Sequence, residues 1–242
     1  MVFLPVNDIN PLRSIRFQWV TVAIIAFNVV AFLLETTEAG PRVIANLAIV
    51  PAELFRTGIF GSTGHGPPDG FPVPERYTLL SYMFLHADIW HLASNMLFLW
   101  VFGDNVEDAL GHFRFAVFYL VCGIGAALVH ALFNAQSTLP LIGASGAIAG
   151  VIGAYLVLYP MVHVWVLALR IIPLQLPAYV VLGVWIVSQV VMVLTGTGGQ
   201  TAWFAHIGGF VIGALLVIVL RRPGVPLFDR RVREALRTSR SP

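Results

Sequence analysis

The chain has 242 residues, of which 58% are Ala, Val, Ile, Leu, Met, Phe, Trp, Tyr or Cys and only 11% are charged. Soluble domains carry about 25% charged residues, so this chain has too little charge to cover a folded globule with a hydrated surface. A water-soluble enzyme and a disordered chain are therefore excluded. The formal net charge is +2, and all 14 basic residues are Arg. The chain has a single cysteine, Cys122, which excludes an internal disulfide framework and a Cys-rich metal site.

Six apolar segments approach the length of about 20 residues that a helix needs to cross a bilayer. The first follows Arg13 and Arg16, is too long for the apolar part of a signal peptide and has no convincing cleavage site, so we interpret it as a retained span. The predicted spans are residues 17–34, 87–102, 113–133, 142–159, 176–194 and 203–220. The sequence predicts an all-α, polytopic membrane protein, a bundle of six transmembrane helices with a long first outer loop.

The distribution of arginines predicts the orientation of this bundle, because basic residues stay on the cytoplasmic side of a membrane. With the N-terminus inside, the outer segments hold only Arg42, Arg56 and Arg76. The inner segments hold Arg13, Arg16, Arg114, Arg170, Arg221, Arg222, Arg230, Arg231, Arg233, Arg237 and Arg240. Both termini are therefore predicted to be cytoplasmic.

Three parts of unequal size follow from this topology. Residues 1–16 form a short cytoplasmic N-terminus, residues 17–221 the membrane domain with an outer loop at about 35–84, and residues 222–242 a basic cytoplasmic tail. In the loop, residues 43–55 have the apolar spacing of an interfacial helix, and residues 61–74 have the composition of turns. The tail is expected to be a solvated end held near anionic lipid.

Polar side chains inside the spans are candidate functional groups, because hydrocarbon makes them costly. In the predicted topology the second, fourth and sixth spans start on the same outer side, and His91, Ser145 and His206 lie near these three starts. A Ser and a His at one depth form the minimal pair of nucleophile and general base for acyl transfer. The other candidates in the spans are Asn28, Ser94, Asn95, His130, Ser188 and Gln189.

Small residues predict that the fourth and sixth helices approach each other closely. Ser145 lies in the segment Gly143-Ala144-Ser145-Gly146, and the stripes continue as Gly146-x-x-x-Gly150 and Gly209-x-x-x-Gly213. Close approach would bring Ser145 within hydrogen-bond reach of His206. The alternative is ordinary membrane packing, with the hydroxyl bonded to its own helix.

His91 and Asn95 are separated by four positions and share one face of the second span. An imidazole N–H and an amide NH₂ can both stabilise a developing oxyanion, beside the backbone N–H of Ser145. The alternative is an interhelical hydrogen bond that only stabilises the bundle.

Acidic residues are absent from the sequence between Gly111 and Phe228, so a Ser-His-Asp triad has only Asp88 as a plausible third member. A dyad whose His206 is held by packing or by an amide is the simpler interpretation. Metal chemistry is disfavoured, because there is no His-Glu-x-x-His motif and the spacing of His86 and His91 suits ligands poorly. The spans also lack the two buried Asp residues that an intramembrane aspartyl protease needs.

Three motifs in this order resemble the rhomboid intramembrane serine proteases of the six-helix bacterial type. The resemblance covers about residues 77–220, and the segment from Gly103 to Glu107 is similar to the family's loop after its second helix. The motifs are His86-Ala-Asp-Ile-Trp-His91-Leu-Ala-Ser-Asn95, Gly143-Ala-Ser145-Gly146 and Ala205-His206-Ile-Gly-Gly209-x-x-x-Gly213.

The resemblance implies an endopeptidase that cleaves transmembrane segments near the outer face of a plasma or inner membrane through an acyl-enzyme. It makes Ser145 the nucleophile, His206 the general base, His91 and Asn95 the oxyanion-stabilising pair, and His86 a second histidine at the mouth of the site. Transmembrane protein substrates and the lipid bilayer are the implied partners. No cofactor, metal or nucleic acid is implied.

Two further expectations concern the surroundings of the base and the path of the substrate. Ala149 stands where some family members have a Tyr that packs on the base histidine, so the resemblance names no residue that orients His206. We expect substrates to enter past the fifth helix, with Trp185 and Gln189 near the gate. The alternatives are a non-catalytic rhomboid-like protein that binds transmembrane helices, and a small transporter or channel.

Overall fold

The computed structural model describes residues 3–57, 73–168, 171–196 and 202–229, and these residues are predominantly helical. A 3-10 turn at Tyr82–Phe84 connects the fourth and fifth helices. The other elements, in chain order, are β1 (Phe3–Asp8), α1 (Trp19–Glu35), α2 (Gly40–Leu47), α3 (Pro51–Thr57), α4 (Glu75–Ser81), α5 (Ile89–Leu110), α6 (His112–Phe133), α7 (Ser145–Leu158), β2 (His163–Ala168), β3 (Ile172–Pro177), α8 (Ala178–Thr195) and α9 (Trp203–Leu220).

Helices α1, α5, α6, α7, α8 and α9 occupy the six segments that the sequence predicts to span the membrane. By length and hydropathy, α6, α8 and α9 can each cross a bilayer, whereas α1 and α7 are apolar but shorter. These helices indicate a membrane protein. The count of six spans stays a prediction.

A three-stranded antiparallel sheet, in the order β1-β2-β3, is the feature that the all-α prediction misses. In β2, Val164, Val166 and Ala168 are buried and alternate with more exposed residues, as a half-buried strand requires. Strand β1 pairs Phe3 with Ala168, a partner far along the chain that local hydropathy cannot reveal. The predicted fifth span therefore starts too early, because residues 176 and 177 complete β3.

The described parts of the predicted outer loop contain three short helices, α2, α3 and α4. Residues 43–55 do not form one interfacial helix, because α2 ends at Leu47 and α3 begins at Pro51. Between them the chain is extended, and Ile49 pairs with Leu141 through backbone hydrogen bonds of 3.2 and 2.7 Å. Residues 58–72, with most of the segment expected to form turns, lie outside the described residues.

The first part of the predicted solvated tail packs onto the bundle instead. The backbone N–H of Arg222 donates to the carbonyl of Ala109, and that of Phe228 donates to Val157. Asp229 is only 4% exposed and forms an ion pair with Arg13 at 2.8 Å. Residues 230–242, with five of the tail's arginines, lie outside the described residues, as does Arg170.

Helix α7 lies at the centre of the bundle, buried along most of its length. Its glycines allow α9 to approach closely: a Cβ at Gly209 would lie 2.0 Å from the carbonyl oxygen of Gly146. A Cβ at Gly213 would lie 2.1 Å from the carbonyl oxygen of Gly150. Only glycine fits at these crossings, and the resulting backbone contact fixes the first turn of α9 beside the first turn of α7.

Candidate active site

Ser145 is the first residue of α7 and follows a sharp turn at Gly143. Gly143 has a φ of +120°, and a Cβ there would lie 2.7 Å from Cε1 and 2.8 Å from Nε2 of the His91 ring. Both the backbone conformation and the contact with His91 therefore require glycine. The turn places Ser145 where the first N–H groups of a helix have no partner within the helix.

His206 lies in the first turn of α9, and its Nε2 is 2.8 Å from the Oγ of Ser145. His206 is 9% exposed, so water does not compete freely for this hydrogen bond. A hydroxyl that donates to an imidazole nitrogen needs that nitrogen unprotonated. The pair then has the arrangement in which His206 can accept the Ser145 proton.

Three side chains surround the His206 ring on its other sides. The rings of Trp185 and Trp203 have centroids 5.8 and 5.9 Å from that of His206. The Oε1 of Gln189 is 2.7 Å from Nδ1 of His206. Gln189 is 5% exposed and lies inside the bundle against the imidazole, and its expected place near a substrate gate stays a prediction.

His91 and Asn95 supply hydrogen-bond donors from α5. The backbone N–H of Ala87 donates to Nδ1 of His91 at 3.4 Å, which leaves the ring proton on Nε2, the atom that faces Gly143. Asn95 is 6% exposed, and its Nδ2 has no hydrogen-bond partner among the described residues. Nδ2 of buried Asn95 and Nε2 of half-buried His91 are thus two donors with no acceptor among the described residues, an arrangement that an oxyanion site requires.

His86 and Asp88 stand beside these donors in different roles. His86 is 1% exposed, with its ring 5.0 Å from that of His91, and its expected place at the mouth of the site stays a prediction. Burial lowers the pKa of His86 to about 4, so the ring is neutral near pH 7. The Oδ1 of Asp88 accepts from the backbone N–H groups of Trp90 and His91, each at 2.8 Å, and therefore caps α5.

A groove of about 620 Å³ runs along α5 from Asp88 towards Leu4 of β1. His91 and Ser94 supply polar groups to its wall, and Trp90 supplies an exposed indole. The groove therefore gives access from the side of the bundle to the His91 side chain.

Of the predicted site residues, the structure brings Ser145 into contact with His206 and places Gly143 against His91. Sequence reasoning allowed for an amide that holds His206 but did not identify Gln189 as the amide in contact with it. The available signal was an amide in the middle of an apolar helix, where a polar group needs a partner.

The family model described as "Rhomboid domain" matches residues 74–223 of this chain. The chain is 33% identical over 168 residues to Rhomboid-like protein 11, chloroplastic, of Arabidopsis thaliana, covering 67% of this chain and 59% of the relative. It is 30% identical over 152 residues to Rhomboid protein 1, mitochondrial, of Saccharomyces cerevisiae, covering 59% of this chain and 41% of the relative. It is 32% identical over 162 residues to Rhomboid protease GluP of Bacillus subtilis, covering 67% of this chain and 29% of the relative.

Proposed function

Because this chain belongs to the rhomboid family, whose domain model matches residues 74–223, we propose that it is an intramembrane serine endopeptidase. Its substrates are transmembrane segments of other membrane proteins, cleaved near the outer face of the bilayer. The observation that carries the proposal is the 2.8 Å contact between Ser145 Oγ and His206 Nε2, two residues 61 positions apart. The proposed reaction uses side chains and water alone, without a cofactor.

The two side chains divide the reaction into two proton-balanced steps. Ser145 Oγ attacks the peptide carbonyl carbon while its proton passes to His206 Nε2, which then protonates the leaving amine. The C–N bond breaks and an ester joins the substrate to Ser145. Water then attacks the ester and gives a proton to His206, and the proton returns to Ser145 as the ester bond breaks.

The negative charge that develops on the carbonyl oxygen needs donors that are already in place. Nε2–H of His91 and Nδ2–H of Asn95 supply two of them, and the backbone N–H of Ser145 supplies a third. The start of α7 adds the positive end of a helix dipole. Asn95 is 6% exposed and the His91 ring packs against Gly143, so these groups need little reorganisation in the transition state.

A transmembrane substrate has to unwind locally before Ser145 can reach its peptide bond, because helical amides in a bilayer are already hydrogen-bonded and shielded. The groove along α5, where Trp90 is 81% exposed, supports an approach from the side. An unwound segment lying there would pass His91 on its way to Ser145.

The proposed location is a plasma or inner membrane, and the arginine distribution supports an orientation with both termini in the cytoplasm. In this orientation the start of α7, and Ser145 with it, lies near the outer face. Water for the hydrolysis of the acyl-enzyme then enters from outside.

The test is activity in liposomes together with labelling by a fluorophosphonate, which reacts with activated serines. Wild-type protein should take up the label and cleave a single-span model substrate. Ser145→Ala and His206→Ala should do neither, although they unfold in detergent at the same temperature as wild type. The matched controls are Ser81→Ala, whose hydroxyl donates to the Leu47 carbonyl, and His163→Ala in β2, both of which should keep full activity.

Turnover that persists in Ser145→Ala or His206→Ala would overturn the assignment. Wild-type protein that is well folded but neither reacts nor cleaves would favour the non-catalytic alternative, a protein that binds transmembrane helices.

A further inference from the structure

Gln189 makes the contact with the one nitrogen of His206 that Ser145 does not use. It lies on α8, is 5% exposed, and its Oε1 is 2.7 Å from His206 Nδ1. Most neighbouring positions of α8 are apolar and face outward, among them Val187 at 59% exposed. A lone amide that points inward from such a helix is costly unless its hydrogen bonds are satisfied.

The orientation of the Gln189 amide is fixed by its other bonds. Nε2 donates to the carbonyl oxygen of Trp185 at 3.0 Å and to Oγ of Ser188 at 2.9 Å. The Ser188 hydroxyl itself donates to the Trp185 carbonyl at 2.6 Å, so its oxygen has a lone pair free for Nε2. A flipped amide would place Oε1 against the Trp185 carbonyl oxygen, two acceptors in contact. Oε1 is therefore the atom that faces His206.

This orientation decides which nitrogen of His206 carries the proton. Oε1 can only accept, so Nδ1 has to donate, and the neutral ring then presents a lone pair on Nε2. Ser145 Oγ lies 2.8 Å from that lone pair. In the other tautomer the Nδ1 lone pair would face Oε1, and Nε2 would be unable to accept the Ser145 proton.

We propose that Gln189 is the positioning residue of the site, completing a Ser145-His206-Gln189 arrangement that selects the base-competent tautomer of His206; this rests on the proposed peptidase function. A neutral amide suits the location, because a carboxylate inside a bilayer would be far more costly to bury. Residue 149 is a buried Ala and offers no ring to orient the imidazole. Packing from Trp185 and Trp203 restrains the ring but cannot select a tautomer.

The decisive variants change the acceptor and keep the length of the side chain. Gln189→Met removes the acceptor and should lower kcat by about 10- to 100-fold, part of the 10²–10⁴ that a general base contributes, with KM within about twofold of wild type. Gln189→Glu restores an acceptor and should recover kcat. Its charge should also move the acid limb of the pH–rate profile to higher pH, a change that a merely structural role would not produce. Val187→Ala, on the outward face of α8, is the matched control and should cleave as wild type does.

A second measurement reads the tautomer without any turnover. In protein labelled with ¹⁵N-histidine, the His206 signals, assigned by their loss in His206→Ala, should show a protonated Nδ1 and an unprotonated Nε2. In Gln189→Met they should show a mixture of tautomers.

The outcomes separate this proposal from the proposed function. If wild type and Val187→Ala cleave, and Gln189→Met keeps both kcat and the single tautomer, Gln189 is not a positioning residue while the peptidase stands. If wild type neither cleaves nor takes up the fluorophosphonate, the peptidase fails, and the ¹⁵N spectra alone decide whether Gln189 sets the tautomer. A Gln189→Glu profile identical to that of wild type would also overturn the proposal.

Discussion

Asn95 holds a buried amide N–H that has no acceptor among the described residues. Leaving such a donor unpaired costs about 1–3 kcal/mol of folding free energy. The unpaired N–H therefore does not stabilise the folded protein, whereas it would stabilise an oxyanion that forms beside Ser145. Activity and stability should respond to its removal in opposite directions.

We expect Asn95→Ala to lower kcat about 10²- to 10³-fold, the usual loss for one oxyanion donor. The unfolding temperature in detergent should stay the same or rise, because an unpaired donor is removed. Cleavage in liposomes and a thermal melt measure the two effects. Asn28→Ala is the control, since among the described residues that buried amide donates only to the Ile24 carbonyl of its own helix. An Asn95→Ala protein that is less stable but fully active would contradict the oxyanion role.

Asp8 at the end of β1 gives the fold a dependence on pH. Its carboxylate accepts from the Tyr155 hydroxyl and from Nδ2 of Asn105, the latter at 3.3 Å. Burial raises the pKa of Asp8 from 3.8 to about 7. Between these two values the folded protein binds more protons at this site than the unfolded chain does, so the contribution of Asp8 to stability falls as pH rises from about 4 to 7.

Asp8→Asn should remove this loss. At pH 8 the variant should unfold at a higher temperature than wild type, and at pH 4 the two should differ little. Thermal melts across this range measure the difference. A gap between variant and wild type that is the same at every pH would show that Asp8 does not titrate in this way.

Among the elements, the crossing of α7 and α9 sets the distance between Ser145 and His206. A methyl group at Gly209 would meet the Gly146 carbonyl oxygen at 2.0 Å, so Gly209→Ala has to push the helices apart. Overpacking of this kind costs about 1–3 kcal/mol, and separation also lengthens the Ser145–His206 contact. We expect a lower unfolding temperature and at least a tenfold loss of kcat, although neither reacting residue is changed.

Gly183→Ala is the matched control, because a Cβ at this α8 position meets nothing within 4 Å. It should leave both the melt and the cleavage rate unchanged. If Gly209→Ala behaved like Gly183→Ala, the close helix crossing would not determine the geometry of the site.

Local apolar patterns predict where the long helices lie but not where all of them end. The second span was predicted to end at residue 102, whereas α5 continues to Leu110. The last turns of α5 contain acidic residues, which in the sequence indicate a loop. In the structure, however, Glu107 is fully buried and Asp108 is 4% exposed. Both carboxylates accept backbone N–H groups from the N-terminal segment, Glu107 from residues 20 and 21 and Asp108 from residues 13 to 15. Such long-range partners, like the pairing of β1 with β2, leave no local pattern in the sequence.

At the scale of the whole molecule, the sequence predicts that the helices of Ser145 and His206 start at the same depth, but it does not predict the side-chain contacts between helices. Topology alone places Ser145 and His206 at the same end of the bundle, and glycine spacing predicts that their helices approach. The bond between Gln189 and His206 depends on the rotation of α8 about its axis and on one side-chain rotamer. Neither is encoded in an apolar pattern, so the sequence allowed for an amide that holds His206 but could not identify Gln189 as that amide.

Orientation in the membrane decides on which side cleavage occurs, and a cysteine-labelling experiment tests it. The native Cys122 is fully buried, so the unmodified chain should react little with a membrane-impermeant maleimide. Glu38 is exposed in the outer loop and Ser14 is exposed in the N-terminal segment, which makes them suitable positions for a single added cysteine. In intact bacterial cells Glu38→Cys should be labelled, whereas Ser14→Cys should be labelled only after the membrane is permeabilised.

The backbone N–H of His86 donates to Glu35 at 2.9 Å, so the outer loop and the mouth of the site share one side. The reverse labelling pattern would therefore move both the outer loop and Ser145 to the cytoplasmic face, and with them the proposed site of cleavage.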